Sequence, residues 1–473
     1  MRILYASSEV APYAASGGLG DVVGALPSAV SEKGHSVAVI SPLYSSMKEC
    51  YRSRLEKVID ISFKLGWRDT GASVYKLVEG GVEYLFVENH YYFDRARLYG
   101  EFDDAERFAF FSMAVIEYII QSGDIPECLH ANDWQCAMTI VYLKTKFAVV
   151  DSLSNIKTVY TIHNIEYQGK FDPYILGNVF GLDNSEKGIL EYDGCLNLMK
   201  GALVTSDYIT TVSPNYATEL EYDYFAFGLS DIIRSVRYKM SGIINGIDYT
   251  AFSPNKDNDI YQKYHTRTVR FGKAKNKEML CNEYGLDANP NIPLVVMITR
   301  LASQKGIDLF LHVADELLSR EVQVVVLGTG EERYENELRS LESRHHNFRA
   351  LIKFDRTISK RLYAAADFFL MPSKSEPCGL AQMIACSYGA VPIVRNVGGL
   401  HDTIVPYPAI DSCGFRFDNF NAHEMLGTVL YALDVFRDEK EWASLRKRVK
   451  SMEFTWDKSA DKYIKIYHKI TNN

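Results

Sequence analysis

No stretch of the 473-residue chain approaches the roughly 18 consecutive apolar residues that a membrane-spanning helix needs. Positive charge is not in excess. The 52 Lys and Arg face 60 Asp and Glu, a formal net charge of -8, which argues against nucleic acid or an anionic membrane as partner. Eight cysteines (Cys50, Cys128, Cys136, Cys195, Cys281, Cys378, Cys386, Cys413) include no C-x-x-C pair and show no ligand-like spacing, so a reducing compartment without structural zinc is expected. Near the start, Glu9 interrupts the apolar run from Ile3 before a signal-peptide core can form, and a soluble, cytoplasmic protein is expected. Low-complexity tracts and repeats of fixed period are absent as well. What remains is 47% hydrophobic and 24% charged, ample for two or three domains with large cores. The 12% aromatic content suits flat neutral ligands such as sugars and equally an ordinary core.

Short β-branched runs, each followed by glycine and then an amphipathic stretch, recur along the chain, the pattern of a parallel sheet wrapped by helices. The first half predicts strands at Arg2 to Ser7, Ser36 to Ile40, Glu83 to Glu88, Thr158 to Thr161 and Tyr208 to Val212, with a clear helix over Ala105 to Ile120. The alternation restarts at Pro293 to Ile298, Gln323 to Leu327, Ala350 to Phe354, Phe368 to Met371 and Val391 to Arg395. The fold class is therefore α/β with two doubly wound, Rossmann-like domains. Turn formers and charge cluster from Ile244-Asn245-Gly246 to Asp259, placing the boundary there. The expected domains are 1–243, 244–453 and a last helical segment, 454–473, that returns to the first.

Four loops carry candidate chemistry. After the opening strand, Ser7-Ser8-Glu9 leads into Ser16-Gly17-Gly18-Leu19-Gly20-Asp21, with a helix read from Gly24 to Lys33. Strand, glycine loop and helix form a phosphate-binding layout, although a glycine loop alone fits a tight turn equally well. Thr299-Arg300-Leu301-Ala302-Ser303-Gln304-Lys305-Gly306 puts two cations at a strand's carboxyl end, where they can converge on a diphosphate or simply face solvent. In Met371-Pro372-Ser373-Lys374-Ser375-Glu376-Pro377-Cys378-Gly379-Leu380, Glu376 precedes a helix whose first turn is expected to hold Gly379. That would set a carboxylate beside free N–H groups. Val397-Gly398-Gly399-Leu400-His401-Asp402-Thr403 is another glycine turn opening a helix, suited to a diphosphate or ribose.

Polar residues also end apolar strands at His163-Asn164 and at His130-Ala131-Asn132-Asp133-Trp134; a single strand-end histidine is more often structural than catalytic. Three further signals are discounted. Asp257-Asn258-Asp259 matches a metal-binding D-x-D pattern but lies in a polar linker, His345-His346 reads as solvated surface, and the Tyr222 to Phe227 run reads as a loop that packs more readily than it stacks a glucan.

In this order these segments, with Phe93-Asp94-Arg95, Gly242 to Asp248, Gly328-Thr329-Gly330 and the terminal Trp456 helix, resemble bacterial glycogen synthases and plant starch synthases. These are retaining glucosyltransferases of the GT-B fold, and the match covers nearly the whole chain. The resemblance implies two domains facing each other across a deep cleft, no cofactor, no metal, and transfer of an α-glucosyl unit from a nucleoside diphosphate glucose to the non-reducing end of an α-1,4-glucan. It makes His163, Arg300, Lys305 and Glu376 the catalytic candidates. Donor contacts fall to Ser16, Gly17, Gly18, Asn245, Gly328, Cys378, Gly379, Leu380, Asp402 and Thr403, and the acceptor side to Asp21, Asp133 and Asn164. One position departs: the family's Lys-x-Gly-Gly-Leu lysine is here Ala15. ADP-glucose is the family's usual donor; the missing cation leaves UDP-glucose open, together with a weakly active glucan-binding paralogue and, more remotely, another GT-B activity such as a sugar-nucleotide epimerase.

Overall fold

The computed structural model describes residues 1–472. Its contacts divide the chain into two units, Met1–Gly246 joined by the chain from Trp456, and Ile247–Thr455.

The first unit is built on nine strands: β1 (Arg2–Ala6), β2 (Ser36–Pro42), β3 (Glu56–Leu65), β4 (Arg68–Glu79), β5 (Val82–Glu88), β6 (Cys128–Asn132), β7 (Lys157–Ile162) and, after a small separate sheet of β8 (Lys170–Phe171), β9 (Glu191–Tyr192) and β10 (Cys195–Asn197), β11 (Tyr208–Thr211) and β12 (Met240–Gly242). Their order is β12-β11-β7-β6-β1-β2-β5-β4-β3. From β12 to β5 the strands run parallel. In that part β1 and β2 carry the buried apolar runs Ile3 to Ala6 and Val37 to Ile40, as strands covered on both faces do. The edge pair β3 and β4 is an antiparallel hairpin that the sequence pattern did not announce. Its strands alternate charged and apolar residues and bury one face only, with Phe63 against Phe110 of the helix Asp104–Ser122.

The last helix, Trp456–Thr471, lies on this unit. Ala460, Tyr463, Ile466, Tyr467 and Ile470 recur at helical spacing and join a core that includes Ile3, Tyr5, Val22 and Val30. Gly246 lets the backbone at Trp456 approach, since a Cβ there would meet the Trp456 nitrogen at 2.5 Å.

The second unit holds six parallel strands: β13 (Leu294–Ile298), β14 (Gln323–Leu327), β15 (Phe348–Leu351), β16 (Phe368–Met371), β17 (Val391–Arg395) and β18 (Phe415–Phe417), ordered β15-β14-β13-β16-β17-β18. Asp367 anchors two helices beneath it, bonding Lys277 at 2.7 Å and Arg446 at 3.2 Å. Burial works against its charge, yet those two cations hold the carboxyl below the usual carboxylate range.

Several expectations are corrected. β15 is Phe348–Leu351 rather than Ala350 to Phe354, because its pairing with β14 runs from Val324 and Phe348 to Leu327 and Leu351. The first helix is Gly18–Ser31, starting inside the glycine loop, where Gly20 and Gly24 pack against Ala15 and Ala11. The Tyr222 to Phe227 segment contains a helical turn, Asp223–Ala226. Asp257 is buried rather than part of a solvated linker, and it accepts from Tyr388 Oη and pairs with Lys360.

Candidate active site

Each large sheet reverses its winding once. In the first, β1 lies between β2 and β6; in the second, β13 lies between β14 and β16. Loops leaving the carboxyl ends of strands at such a point diverge and open a crevice for a ligand. The glycine loop and Asp133 follow β1 and β6, and Arg300, Lys305 and Glu376 follow β13 and β16, at these two places; His163-Asn164 follows β7 and Val397 to Thr403 follows β17, each one strand further out.

In the first unit, β1 leads into Ser7-Ser8-Glu9, and the side chain of Glu9 turns into the glycine loop. It is only 3% exposed. Its carboxylate accepts from Ser16 N–H at 2.5 Å, Ser16 Oγ at 2.7 Å, Gly17 N–H at 3.2 Å and Tyr99 Oη at 2.6 Å. Two N–H groups of the glycine loop are thus already satisfied by an internal carboxylate. Glu9 and Tyr99 were missed by sequence reasoning; a carboxylate shortly before a glycine loop, with small polar residues between, was the available signal. Gly17 and Gly18 are different from most glycines in this chain. Neither has a positive φ, and a Cβ on either would meet no protein atom within 4 Å, so internal packing gives no reason for their lack of side chains. Asp21 is exposed in the first turn of the following helix.

β6 ends at Asp133, whose φ of 54° and ψ of -179° lie where non-glycine residues pay about 1–3 kcal/mol. That conformation aims its side chain at the neighbouring strand end. Oδ1 accepts from the N–H groups of His163 at 2.7 Å and Asn164 at 3.4 Å. Burial raises the Asp133 carboxyl to about 7, despite those donors, and the nearby Glu9 charge pushes the same way. His163 bonds Asn132 Oδ1 through Nε2 at 2.9 Å, while Asn132 Nδ2 donates to Ala6 O. Since that amide oxygen can only accept, Nε2 carries the proton. Burial lowers the His163 ring to about 3, so it is the neutral tautomer with a lone pair on Nδ1. His130, by contrast, is a core residue bonded to Tyr467 and Thr161. Asn245, beyond the end of β12, is buried with its Oδ1 unpartnered.

In the second unit, β13 releases Arg300, which is exposed, and then Lys305 at the end of a 3-10 turn. Lys305 Nζ donates to Glu376 Oε2 at 2.6 Å, and Ser373 Oγ donates to the same oxygen at 3.0 Å. The adjacent loops after β13 and β16 are therefore stitched together, helped by Lys374 N–H donating to Gln304 O at 2.8 Å. Glu376 keeps Oε1, and Lys305 keeps two N–H bonds, for other partners.

Gly379 is not in a helix. It has φ +73° and precedes the helix Ala381–Ser387, because Gln382 folds back to donate to the carbonyls of Cys378 and Gly379 and to Thr403 Oγ1. Thr403 is buried; its hydroxyl donates to Gly399 O one turn back and accepts from Gln382, which links it to the Gly379 turn. Cys378 is buried, Leu380 half-buried, and Asp402 exposed on the short helix Gly398–Thr403. Gly328 follows β14, and a Cβ there would meet the Thr299 carbonyl oxygen at 1.9 Å. Among the described residues no group of three or more His, Cys, Asp or Glu could hold a metal, and no helix is long and apolar enough to cross a membrane.

Two doubly wound units with charged loops at both switch points define a glycosyltransferase of the GT-B class, and residues 284–451 match the family model described as glycosyl transferases group 1. Residues 2–235 match the starch synthase catalytic domain. Along its full length the chain is 42% identical to a glycogen synthase of Clostridium botulinum (strain Alaska E43 / Type E3), covering 100% of both chains. It is 40% identical to a glycogen synthase of Streptococcus agalactiae serotype III, covering 99% of this chain and 100% of the relative. The catalytic domain of starch synthase IV from Arabidopsis thaliana, solved bound to ADP and acarbose, superimposes with a TM-score of 0.90 at 32% identity, over 100% of this chain and 99% of that one. A sucrose-phosphate synthase from Thermosynechococcus elongatus shares the fold, with a TM-score of 0.64 at 16% identity and 100% and 99% coverage. The chain belongs to the glycogen and starch synthase family of glycosyltransferases.

Proposed function

We propose that this protein transfers an α-glucosyl unit from a nucleoside diphosphate glucose, ADP-glucose first, to the non-reducing end of an α-1,4-glucan with retention of configuration. The observation that carries this reading is the Lys305–Glu376 pair at the second switch point, in a chain similar over its whole length to named glycogen synthases. Breaking the bond to the anomeric carbon needs positive charge on the departing diphosphate. Arg300 and the two spare N–H bonds of Lys305 supply it, with the open backbone at Gly17 and Gly18 offering room for phosphate or sugar. Glu376 presents Oε1 to the glucose hydroxyls, and Ser373 and Lys305 hold that carboxylate in one orientation. In the first unit, neutral His163 and its main-chain carbonyl steady the oxocarbenium-like centre, with Asp133 fixing the turn that carries them. Asn164 and Asp21 serve the acceptor side. Gly379, Cys378, Leu380, Asp402, Gly328 and Asn245 shape donor contacts; the committed hydroxyl of Thr403 gives it a bracing role instead.

Radiolabel incorporation into glycogen tests the reading, with ADP-glucose and UDP-glucose compared as donors. Lys305→Ala and Glu376→Ala should each lower turnover at least about tenfold to hundredfold. Wild-type rates in both variants would remove the mechanism. Ala15 favours a second reading, a glucan-binding paralogue of low activity; robust incorporation from either donor rejects it.

A further inference from the structure

Close to the Lys305–Glu376 pair in sequence, Gln382 does more than its helix requires. It lies on the helix Ala381–Ser387, is fully buried, and turns its side chain back onto the preceding loop. Nε2 donates to the carbonyls of Cys378 and Gly379, both at 3.0 Å, and to Thr403 Oγ1 at 3.2 Å. The amide cannot be turned the other way, because its oxygen would then face two carbonyls and a hydroxyl whose proton already goes to Gly399 O. So oriented, Oε1 is buried with no partner, an arrangement that folded chains seldom keep without a reason. The same oxygen sets what can stand at Gly379: a Cβ there would meet it at 2.4 Å, and φ is +73°.

Two captured carbonyls have a consequence on the other side of the chain. In a trans peptide the C=O of one residue and the N–H of the next point in opposite directions. With the Cys378 and Gly379 carbonyls drawn toward Gln382, the N–H groups of Gly379 and Leu380 point away from it. Neither donates to a protein atom among the described residues, and both residues are only half-buried. Successive N–H groups turned outward make a concavity that suits an anion. We propose that Gln382 is a positioning residue for glucosyl transfer: by holding both carbonyls it fixes the Gly379 and Leu380 N–H groups against the departing diphosphate, at the phosphate nearest the sugar. Gln382 acts through them and touches no ligand itself. The inference rests on the proposed function, which puts that diphosphate beside Lys305 and the glucose on Glu376. Charge builds on the leaving oxygen during transfer, and donors already fixed in place stabilise it without having to reorganise. Without the amide, both peptide planes can rotate.

Titration calorimetry with ADP and with AMP reads this role apart from transfer. Gln382→Met keeps the length of the side chain and removes its donors. Its Kd for ADP should rise about tenfold or more, the worth of one or two hydrogen bonds to a charged group, while that for AMP, which lacks the sugar-side phosphate, should stay within about twofold. With ADP-glucose, kcat should fall by a similar factor and KM for maltotriose should not move. Gly379→Ala, which drives a methyl group into Oε1, should show the same selective loss and serves if Gln382→Met does not fold. The double variant should lose no more than the worse single one, because both act through one amide. Equal weakening of ADP and AMP, losses that add, or wild-type ADP affinity in folded variants would overturn the role. Selective loss of ADP in a protein that transfers no glucose to glycogen would support the positioning role and sink the proposed function; transfer by the wild type with unchanged ADP affinity in the variants would do the reverse.

Discussion

Asp133 shows how much one residue can carry. Its backbone adopts a conformation that most side chains avoid, and in return its carboxyl spans the gap between β6 and β7 to hold the His163 turn. Burial raises that carboxyl to about 7. Between the ordinary aspartate value near 3.9 and about 7, the folded chain therefore binds a proton that the unfolded chain has released. The contribution of this group to stability is fully present in acid and declines as pH rises through that window. Denaturant unfolding from pH 4.5 to 8 should show the advantage of the wild type over Asp133→Asn shrinking with pH. Parallel curves would mean that the carboxyl titrates normally. At this scale the sequence showed the segments that hold Asp133, His163, Lys305 and Glu376 as polar interruptions after apolar runs, and the resemblance gave those residues their expected roles. The sequence did not name Glu9, Tyr99, Asn132 or Ser373 as site residues; Glu9 and Tyr99 meet across 90 residues of chain, and Asn132 bonds Ala6 across 126.

At the scale of elements, the glycine loop is held from within. Glu9 gathers four donors from Ser16, Gly17 and Tyr99, and this buried carboxylate fixes the loop before any ligand arrives. Glu9→Ala would leave those donors unpaired, at a cost of about 1–3 kcal/mol for each that stays buried. Its KM for nucleotide sugar should rise about tenfold or more with a lowered melting temperature, whereas Tyr99→Phe, which spares three of the donors, should lose less. A wild-type KM in Glu9→Ala would show that the clasp is dispensable. The loop was legible as a glycine motif; that its first N–H groups are engaged internally was not, because an internal anion and a ligand anion satisfy the same donors. The hairpin of β3 and β4 escaped notice for a related reason: its charged alternation reads as surface until Phe110 and its neighbours supply a face to bury it.

At the scale of the molecule, the chain ends meet. Tyr467 Oη bonds Tyr5 Oη at 2.7 Å and His130 Nδ1 at 2.8 Å, so the last helix is tied to β1 and β6 through one buried hydroxyl. Lys33 adds surface pairs to Asp457 and Asp461, which count for little in water. Tyr467→Phe removes no volume of consequence but leaves two buried polar groups short of a partner. It should cost about 1–3 kcal/mol in urea unfolding, and an unchanged midpoint would show that the hydroxyl is not the tie.

The sequence alone determined the α/β class, most strands of both sheets, and the loops that carry polar residues, because apolar periodicity and glycine punctuation are local properties written in consecutive residues. Only the tertiary structure decided that three of those loops lie at the two switch points, that Lys305 is paired with Glu376, and that Glu9 fills part of the glycine loop. Each of these is a contact between segments far apart in the chain, and strand order, which no single segment encodes, sets which of them meet.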